Sequence, residues 1–504
     1  MNSDDQTSDI SVDIKAISVE RIDTSDIPSR AWFWRLGALV TVICLCSQFQ
    51  IYHTAVINNV FDKAKPWLLE QYGNESDVVD TQWTIMTSAV PLGQFVGTLT
   101  SGMVADTFGR KGAYIGVSVV LTASGVMMGL CRVTGIFLLV IIGRFLLGLV
   151  VGIAINVAIL FITEAAPKKN RGSFSAVTQW FYSLGDLLAL GISLPQVLGT
   201  ETLWPLAMAI GCLPAPFLLP ALIFCPESPR YLYLNKSREK NCREAIRFYQ
   251  GEDNIDETEK DLLEERLAIE SAPRVGLIAL FRNRMHLRSV LMACLVTASC
   301  QLTGISAIIA YSTTIIQKAG LDHTSAAWAT FGVGVFKLVS GFVPPSLMDT
   351  WGRRPMNQIG LIGCCLCHIA LILAIWLLPP STYLGVGVSV VLALYMAAYT
   401  CQSCAMCAYS GELFVQSARA TGLVVANSFA WLMATVVSFS FLPLVASCGV
   451  PVALLPYAIG SAASAVVGYF VLLETKGLTF REIAVGLNST KAQQVWTEPK
   501  TVKH

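Results

Sequence analysis

The segment Asp106-Thr-Phe-Gly-Arg-Lys111 follows a long apolar run, and a close copy of it, Asp349-Thr-Trp-Gly-Arg-Arg354, follows another apolar run in the second half of the chain. Both copies combine an acid, a glycine and adjacent basic residues. A charged signature that returns once, each time at the end of an apolar run, indicates an internal duplication. The repeated unit is close to half of the 504-residue chain.

Two further charged signatures return at nearly the same offset. They are Glu164 with Arg171, which returns as Glu412 with Arg419, and Glu227, which returns as Glu474. A duplicated set of apolar helices with charged clusters on one face is a common architecture of membrane transporters.

The composition places these repeats in a membrane. Hydrophobic residues make up 54% of the chain and charged residues only 14%, which is too apolar for a soluble protein of this size. A helix needs ~20 apolar residues to cross a hydrocarbon core of ~30 Å. Twelve windows meet this length, in two sets of six. The sequence therefore predicts an all-α multipass membrane protein, with twelve transmembrane helices in two pseudo-symmetric six-helix bundles.

The same pattern divides the chain into five segments. We expect a disordered acidic cytosolic tail at 1–30, a first bundle at 31–225, a cytosolic linker with short helices at 226–288, a second bundle at 289–473 and a cytosolic tail at 474–504.

Lys and Arg residues concentrate on one predicted side of the membrane, which marks that side and both termini as cytoplasmic. The polar, acidic start of the chain lacks the features of a cleavable signal peptide. Asn74, in Asn-Glu-Ser76, lies in the predicted outer loop between the first two spans, so it is a candidate glycan acceptor. The plasma membrane is the expected location.

Several classes of site are not expected. Nearly all of the 15 cysteines fall in spans or in the linker, which argues against a disulfide framework and favours buried thiols over a metal cluster. Phosphate-binding loops, nucleophile elbows and metal-ligand spacings on a soluble domain are absent from the sequence. We therefore predict no enzyme activity, cofactor, metal or nucleic-acid partner. The expected partners are a small solute and the lipid bilayer, and the expected state is a monomer.

Acids and bases at helix ends can form charge-assisted hydrogen bonds that hold neighbouring helices together in one conformation and release them in another. Topogenic charge alone would explain the Arg and Lys residues, but not the paired acids or their twofold recurrence. We therefore predict a conformational gate, which comprises Asp106, Arg110, Arg144, Glu164, Arg171, Glu227, Arg230, Asp349, Arg353, Arg354, Glu412, Arg419 and Glu474.

A set of motifs gives a family resemblance. They are Gly143-Arg-Phe145, Glu164-Ala-Ala-Pro167, Pro226-Glu-Ser-Pro-Arg-Tyr-Leu232, Gly352-Arg-Arg354 and Glu474-Thr-Lys-Gly477. Together they resemble the sugar porter family of the major facilitator superfamily. The runs Tyr52-His-Thr-Ala-Val-Ile-Asn58 and Gln301-Leu-Thr-Gly-Ile-Ser306 resemble the animal facilitative glucose transporters. The resemblance extends from the first span to Glu482. It implies the major facilitator fold, alternating access and a central cavity between the halves.

The resemblance also implies sugar contacts at Gln179, Gln301, Ser306 and Trp431. A sugar site needs amides, hydroxyls and an aromatic ring. The chain departs from the family here, since Ser306 stands where the family has an asparagine and Cys407 where it has the stacking tryptophan. These departures predict a solute that need not be a hexose.

Two ionisable residues lie within predicted spans. Lys337 stands in the eighth span, where the family has a sugar-binding asparagine. Asp186 shares one helical face of the fifth span with Gln179, Tyr182 and Ser183. A charge at the bilayer centre costs roughly 3 kcal/mol or more, so both should face a cavity or a partner. Three interpretations stay open: the two residues pair, at least one contacts the solute, or Lys337 reaches water or a carbonyl.

His53 in the first span is a third titratable group among the predicted substrate-site residues. It occupies the position of an asparagine in the uniporters of the family and of an aspartate in its proton-coupled members. Because histidine changes charge near physiological pH, weak proton coupling is one interpretation. A neutral, hydrogen-bonded histidine is the other.

The leading prediction is a passive facilitator for a small polar solute. The alternative is a carrier of organic ions or zwitterions that uses Lys337 and Asp186. A non-transporting sensor is a third hypothesis, but sensors of this kind tend to have long cytosolic extensions, and the chain after Leu487 is short.

Overall fold

The computed structural model describes residues 31–47, 50–73, 75–167, 171–236, 238–271, 275–414, 416–478 and 482–483. The predicted acidic tail, the candidate glycan acceptor Asn74 and nearly all of the chain after residue 478 lie outside the described residues. Every regular element within the described ranges is a helix. Eight helical segments are long and apolar enough to cross a membrane. Two of them, of 59 and 55 residues, bend at Gly109 and Gly449 and provide two crossings each.

The first half of the chain makes six crossings. The first crossing is broken into α1 (Ala31–Ser47), α2 (Gln50–Ala55) and α3 (Ile57–Gln71). The other five are formed by α4 (Ser76–Thr134), which crosses twice, by α5 (Leu138–Ala165), by α6 (Arg171–Ile192), and by α7 (Trp204–Ala209) together with α8 (Pro214–Phe224).

Four short helices form the linker: α9 (Pro229–Leu234), α10 (Glu239–Gln250), α11 (Ile255–Ser271) and α12 (Leu277–Arg282). Helix α10 packs on the first bundle, where the Arg35 guanidinium lies 4.9 Å from the ring centre of Phe248. The Tyr249 hydroxyl donates a hydrogen bond to the Pro226 carbonyl at 2.6 Å. Leu280 of α12 is instead buried in a core shared with the second bundle. The linker is thus attached to both halves.

The second half also makes six crossings. They are formed by α13 (Arg284–Leu302) with α14 (Ile305–Lys318), α15 (His323–Ser340) with α16 (Val343–Trp351), α17 (Arg353–Leu377), α18 (Thr382–Glu412), and α19 (Gln416–Val471), which crosses twice.

Glycines bring α4 and α5 into close contact. A Cβ added at Gly93 would lie 2.3 Å from the Phe145 carbonyl oxygen, and one at Gly148 would lie 2.2 Å from the Val90 carbonyl oxygen. Gly97 and Gly152, one turn further along each helix, are equally close to the opposite backbone. Small residues spaced by four on both helices are how membrane helices approach without side chains between them.

Candidate functional site

The first charged cluster (Arg110, Glu164, Glu227 and Ser228) forms where α4 bends. The Arg110 guanidinium donates two hydrogen bonds to the Glu164 carboxylate, at 2.9 and 2.8 Å. Both side chains are buried. The Ser228 hydroxyl donates to Glu164 Oε2 at 2.5 Å, the oxygen that also accepts from Arg110 Nε. Arg230 lies 3.5 Å from the same carboxylate and also pairs with Glu265 of α11. The cluster therefore fastens the bend of α4 and the end of α5 to the linker.

Glu227 holds the bend itself. Its carboxylate accepts hydrogen bonds from the backbone N–H groups of Arg110, at 3.0 Å, and Lys111, at 3.1 Å. Burial raises the pKa of Glu227 above its usual range, although these bonds lower it. Gly109 has φ +81°, and a Cβ there would lie 2.2 Å from a Glu227 carboxylate oxygen. Only glycine combines that backbone conformation with that contact.

The second charged cluster (Arg353, Glu412, Glu474 and Thr475) repeats this geometry between α16 and α17. Arg353 donates to Glu412 at 2.9 and 3.2 Å, and the Thr475 hydroxyl donates to Glu412 at 2.5 Å. The Glu474 carboxylate accepts from the backbone N–H groups of Arg353 and Arg354. Gly352 has φ +96°, and its added Cβ would lie 2.7 Å from Glu474. The sequence repeat is therefore a repeat of contacts.

The two hydroxyl groups, Ser228 and Thr475, were not among the predicted residues. Ser228 directly follows Glu227 and Thr475 directly follows Glu474, and this position is the signal by which the sequence could have identified them.

The other predicted gate residues lie near these clusters or outside the described side chains. Asp106 lies 3.8 Å from Arg110. Arg419 lies half-buried near the start of α19. The side chains of Arg171 and Asp349 lie outside the described residues.

Arg144, which the sequence grouped with the gate, lies elsewhere. It is on α5, 20 residues before Glu164, or about 30 Å along the helix. The buried guanidinium donates to the carbonyls of Met86, at 3.0 Å, and His53, at 2.9 Å. The His53 ring is also buried, and its Nε2 lies 4.0 Å from the Cys212 thiol. Both residues belong to the interior of the first bundle, apart from the charged clusters and from the cavity described next.

A small cavity lies between the two bundles. Its volume is about 10 Å³, room for about one water molecule. It is bounded by α3, α6, α14, α15 and α18, and its lining residues are Asn58, Asp186, Leu190, Ile309, Ser312, Thr330, Val333, Gly334, Lys337 and Met396. The wall therefore combines amide and hydroxyl groups with two charges.

The two charges pair with each other across the bundles. Lys337 Nζ lies 2.6 Å from Asp186 Oδ2, and each side chain is only 4% exposed. The Tyr182 ring lies beneath the ammonium group, 5.3 Å from Nζ to its centre. Ser183, one turn from Asp186, is buried as well. Of the three interpretations left open by the sequence, the pairing is the one observed.

The amide tether (Asn58, Asn59, Ser312 and Thr313) joins α3 to α14. Asn58 Nδ2 donates to the Ser312 hydroxyl at 2.5 Å, and Asn58 Oδ1 accepts from the Thr313 backbone N–H at 2.8 Å. The Thr313 hydroxyl lies 2.7 Å from Asn59 Oδ1 and 2.9 Å from the Thr330 hydroxyl. All these residues are buried.

Helix α6 shows at which face of the membrane the tether lies. That helix begins at the charged face, and Ser193, just past its last residue, accepts a hydrogen bond from Asn59 at 3.0 Å. A helix of 22 residues is about 33 Å long. The tether therefore closes the cavity at the face opposite the charged clusters.

The remaining predicted contacts lie outside the cavity lining. The Ser306 hydroxyl donates to Gln301 Oε1 at 3.1 Å, across the break between α13 and α14. Trp431 is half-buried on α19, and the Gln179 side chain lies outside the described residues. Cys407, which stands where the family has the stacking tryptophan, is an exposed residue of α18.

Comparison with known proteins decides the class of this site. The family described as "Sugar (and other) transporter" matches residues 39–487. The chain belongs to that family. The predicted family assignment and transport function are thus confirmed, and the protein is a multipass membrane transporter rather than an enzyme.

Individual relatives agree. The transporter is 30% identical over 419 residues to mouse solute carrier family 2, facilitated glucose transporter member 4, covering 81% of this chain and 80% of that protein. It is 28% identical over 480 residues to member 5 from rat, covering 92% and 95%. Its structure is similar to the inward open conformation of the xylose transporter XylE from E. coli, with TM-score 0.75, 19% identity and coverage of 89% and 99%. This likeness confirms the predicted fold of two six-helix bundles.

Proposed function

We propose that this transporter is a passive facilitator for a small, uncharged polar solute, which crosses between the two bundles through the cavity. The observation that carries the proposal is the chemistry of the cavity wall. Asn58 from the first bundle and Ser312 and Thr330 from the second provide an amide and two hydroxyl groups. Such groups can replace the water around a hydroxylated solute.

The Asp186–Lys337 pair favours an uncharged solute over an ion. Each charge already has its partner at 2.6 Å. A charged solute would have to separate them, and leaving one member of a buried pair alone costs ~3–5 kcal/mol. A neutral solute leaves the pair intact.

A carrier of zwitterions or organic ions is the second candidate. It is favoured by one observation, that Asp186 and Lys337 both line the cavity. A zwitterion could exchange partners with the pair and leave neither charge alone.

Monosaccharides are the first solutes to test, because the relatives are named as glucose transporters and the similar structure as a xylose transporter. The resemblance assigns sugar-binding roles to the positions of Ser306, Lys337 and Cys407, and all three differ from the family. We therefore expect weak affinity for hexoses.

Transport without proton coupling is the simpler mechanism. His53 contacts Cys212 within the first bundle and does not line the cavity. Among the cavity-lining residues, the single carboxylate, Asp186, is already paired with Lys337.

The two faces of the transporter have different roles in this proposal. The amide tether holds the opposite face closed, while each charged cluster holds helix ends within its own bundle. We infer that the charged clusters control opening at their face.

Because basic residues concentrate at the face of the charged clusters, this face is cytoplasmic. Both termini are then cytoplasmic, the tether is on the outer side, and the plasma membrane is the expected location. One chain contains both bundles and the cavity, so a monomer suffices.

Uptake into liposomes that contain the purified transporter tests the proposal. The panel should include hexoses, pentoses, polyols, carboxylates and organic cations. We expect uncharged solutes to equilibrate across the membrane without a proton gradient. Uptake restricted to zwitterions or ions would support the second candidate. Accumulation driven by a proton gradient would exclude passive transport.

A further inference from the structure

The linker helix α12 presents an exposed apolar face. Ile278 is 83% exposed, Leu277 54% and Phe281 48%. At about 100° per residue, these three side chains share one side of the helix. Leu280, on another side, is buried in the core shared with the second bundle. The helix therefore packs on the bundle with one side and turns a second apolar side outward.

The neighbouring linker helices have different surfaces. Every exposed residue of α10 is polar or charged. Helix α11 exposes Leu263 and Leu267, but its 17 residues include seven acids and two basic residues. The segment 271–290, which contains α12, instead has four arginines and no acid. Helix α12 thus combines an apolar face with positive charge, as helices that bind anionic membrane surfaces do.

Contacts with the second bundle place α12 at the edge of the membrane. The Val275 backbone N–H donates to the Ser417 carbonyl at 3.0 Å, and the Thr421 hydroxyl donates to the Val275 carbonyl at 2.9 Å. Ser417 follows Glu412 of the second charged cluster by five positions. Asn283 then ends α12 and caps α13, the next crossing. Helix α12 therefore lies on the face of the charged clusters, directly before a crossing.

Two exposed arginines lie beside this apolar face. Arg282 is one helical turn from Ile278 and borders the face. Arg284 begins α13 and shares a side of that helix with Leu291, seven residues or about 10 Å further along. Leu291 is 59% exposed within the crossing, so it faces lipid. Arg284 therefore lies above the acyl chains, at the level of the lipid headgroups.

We propose that α12 is an interfacial helix, which inserts its apolar face among the lipids of the adjacent leaflet and binds anionic headgroups through Arg282 and Arg284. In the orientation proposed above, this is the cytoplasmic leaflet, which carries the anionic lipids of a cell membrane. Because Val275 is bonded to the start of α19, bound lipid also holds the linker against the second bundle.

Hydrogen exchange of α12, measured by mass spectrometry, tests the proposal. The full-length transporter is placed in lipid nanodiscs of phosphatidylcholine alone or mixed with phosphatidylserine in both leaflets. An α12 amide such as that of Leu280, which is bonded to the Gly276 carbonyl at 3.0 Å, exchanges only when the helix opens. Lipid that binds the closed helix therefore slows exchange. Since both faces meet the anionic lipid, the result depends on neither the orientation nor the solute.

We expect phosphatidylserine to slow exchange roughly 25-fold, because each arginine near an anionic surface contributes roughly fivefold. High salt should remove the slowing. The double variant Arg282→Gln and Arg284→Gln should exchange equally in the two kinds of disc. The matched control is Arg238→Gln and Lys240→Gln, which removes the same charge from exposed positions at the start of α10, and it should keep the slowing.

Ile278→Ala tests insertion separately. It should speed exchange of α12 in both kinds of disc, although alanine is the better helix former. Unchanged exchange would mean that the apolar face is outside the lipid and available to a protein partner, which would overturn the proposal. Equal exchange of the unaltered protein in the two discs, or slowing that survives in the double arginine variant, would overturn it as well. So would loss of the slowing in the α10 control. Each of these results leaves the transport proposal, which uptake tests, standing.

Discussion

Asp186 and Lys337 are two charges that the membrane interior tolerates because each is the partner of the other, at 2.6 Å. Removing one partner leaves the other buried and uncompensated. We expect Lys337→Asn or Asp186→Asn to lower the free energy of unfolding by ~3–5 kcal/mol, and the double substitution to recover part of that loss. Thermal unfolding of the purified protein measures this.

Lys318→Asn is the matched control, since Lys318 is exposed at the end of α14. If the two single substitutions were harmless, or their effects simply added in the double variant, the pairing would not contribute to stability. The charges would then be available for a solute, and the second candidate function would gain support.

Gly109 is the residue on which the first charged cluster depends. At φ +81° and ψ 177° it occupies a region that other residues enter only at a cost of ~1–3 kcal/mol, and an added methyl would meet Glu227. Gly109→Ala should therefore destabilise the protein by at least that amount. Gly102→Ala, on the same helix with open space around its Cβ, should be nearly neutral in the same unfolding assay. Equal effects at the two positions would contradict the role given to the bend.

At the scale of helices, the amide tether decides which face is closed. Thr313→Val keeps the shape of the side chain and removes the hydroxyl that contacts Asn59 and Thr330. Only the contact with Asn59 crosses between the bundles, and a lost hydrogen bond contributes about 1 kcal/mol, so the variant should favour outer opening roughly fivefold. To measure the shift, a cysteine is introduced at the cavity-lining position by Val333→Cys and labelled with a membrane-impermeant thiol reagent added from outside. The rate of labelling reports how often the outer side is open.

Thr314→Val is the control for that experiment. Thr314 is adjacent but half-buried, and it is not part of the tether. If both valine variants opened the outer side equally, the effect would come from general loosening of α14, and the tether would not be the closure.

The sequence predicted some elements of the site and could not predict others. The charged clusters were predictable because both copies of each signature are local motifs that recur at nearly the same offset. The tether was not, because it joins Asn58 to Ile309 and Ser312, more than 250 positions away. Helical periodicity assigned Asp186 to a face of α6, but it gives no information about which neighbouring helix that face meets. Arg144 was assigned to the gate from its motif, and only the fold separates it from Arg110.

At the scale of the whole molecule, α6 packs against α15 in one of the contacts that join the two bundles. The Trp180 and Phe342 rings are 3.9 Å apart at one end of this contact, and Asp186 meets Lys337 further along it. A Cβ added at Gly191 would lie 3.2 Å from Phe331 beyond that. The cavity lies beside this contact. A solute that crosses between the two bundles therefore has to move through the cavity.

Blocking the cavity tests that claim most directly. Val333 lines the cavity. Val335, two positions away on α15, does not line it and is 39% exposed. Val333→Trp and Val335→Trp add the same bulk at the two sites. Solute uptake would be measured for both variants in liposomes, with the best solute of the panel. We predict that Val333→Trp abolishes uptake while Val335→Trp retains it. Full uptake by a folded Val333→Trp protein would contradict passage of the solute between the two bundles.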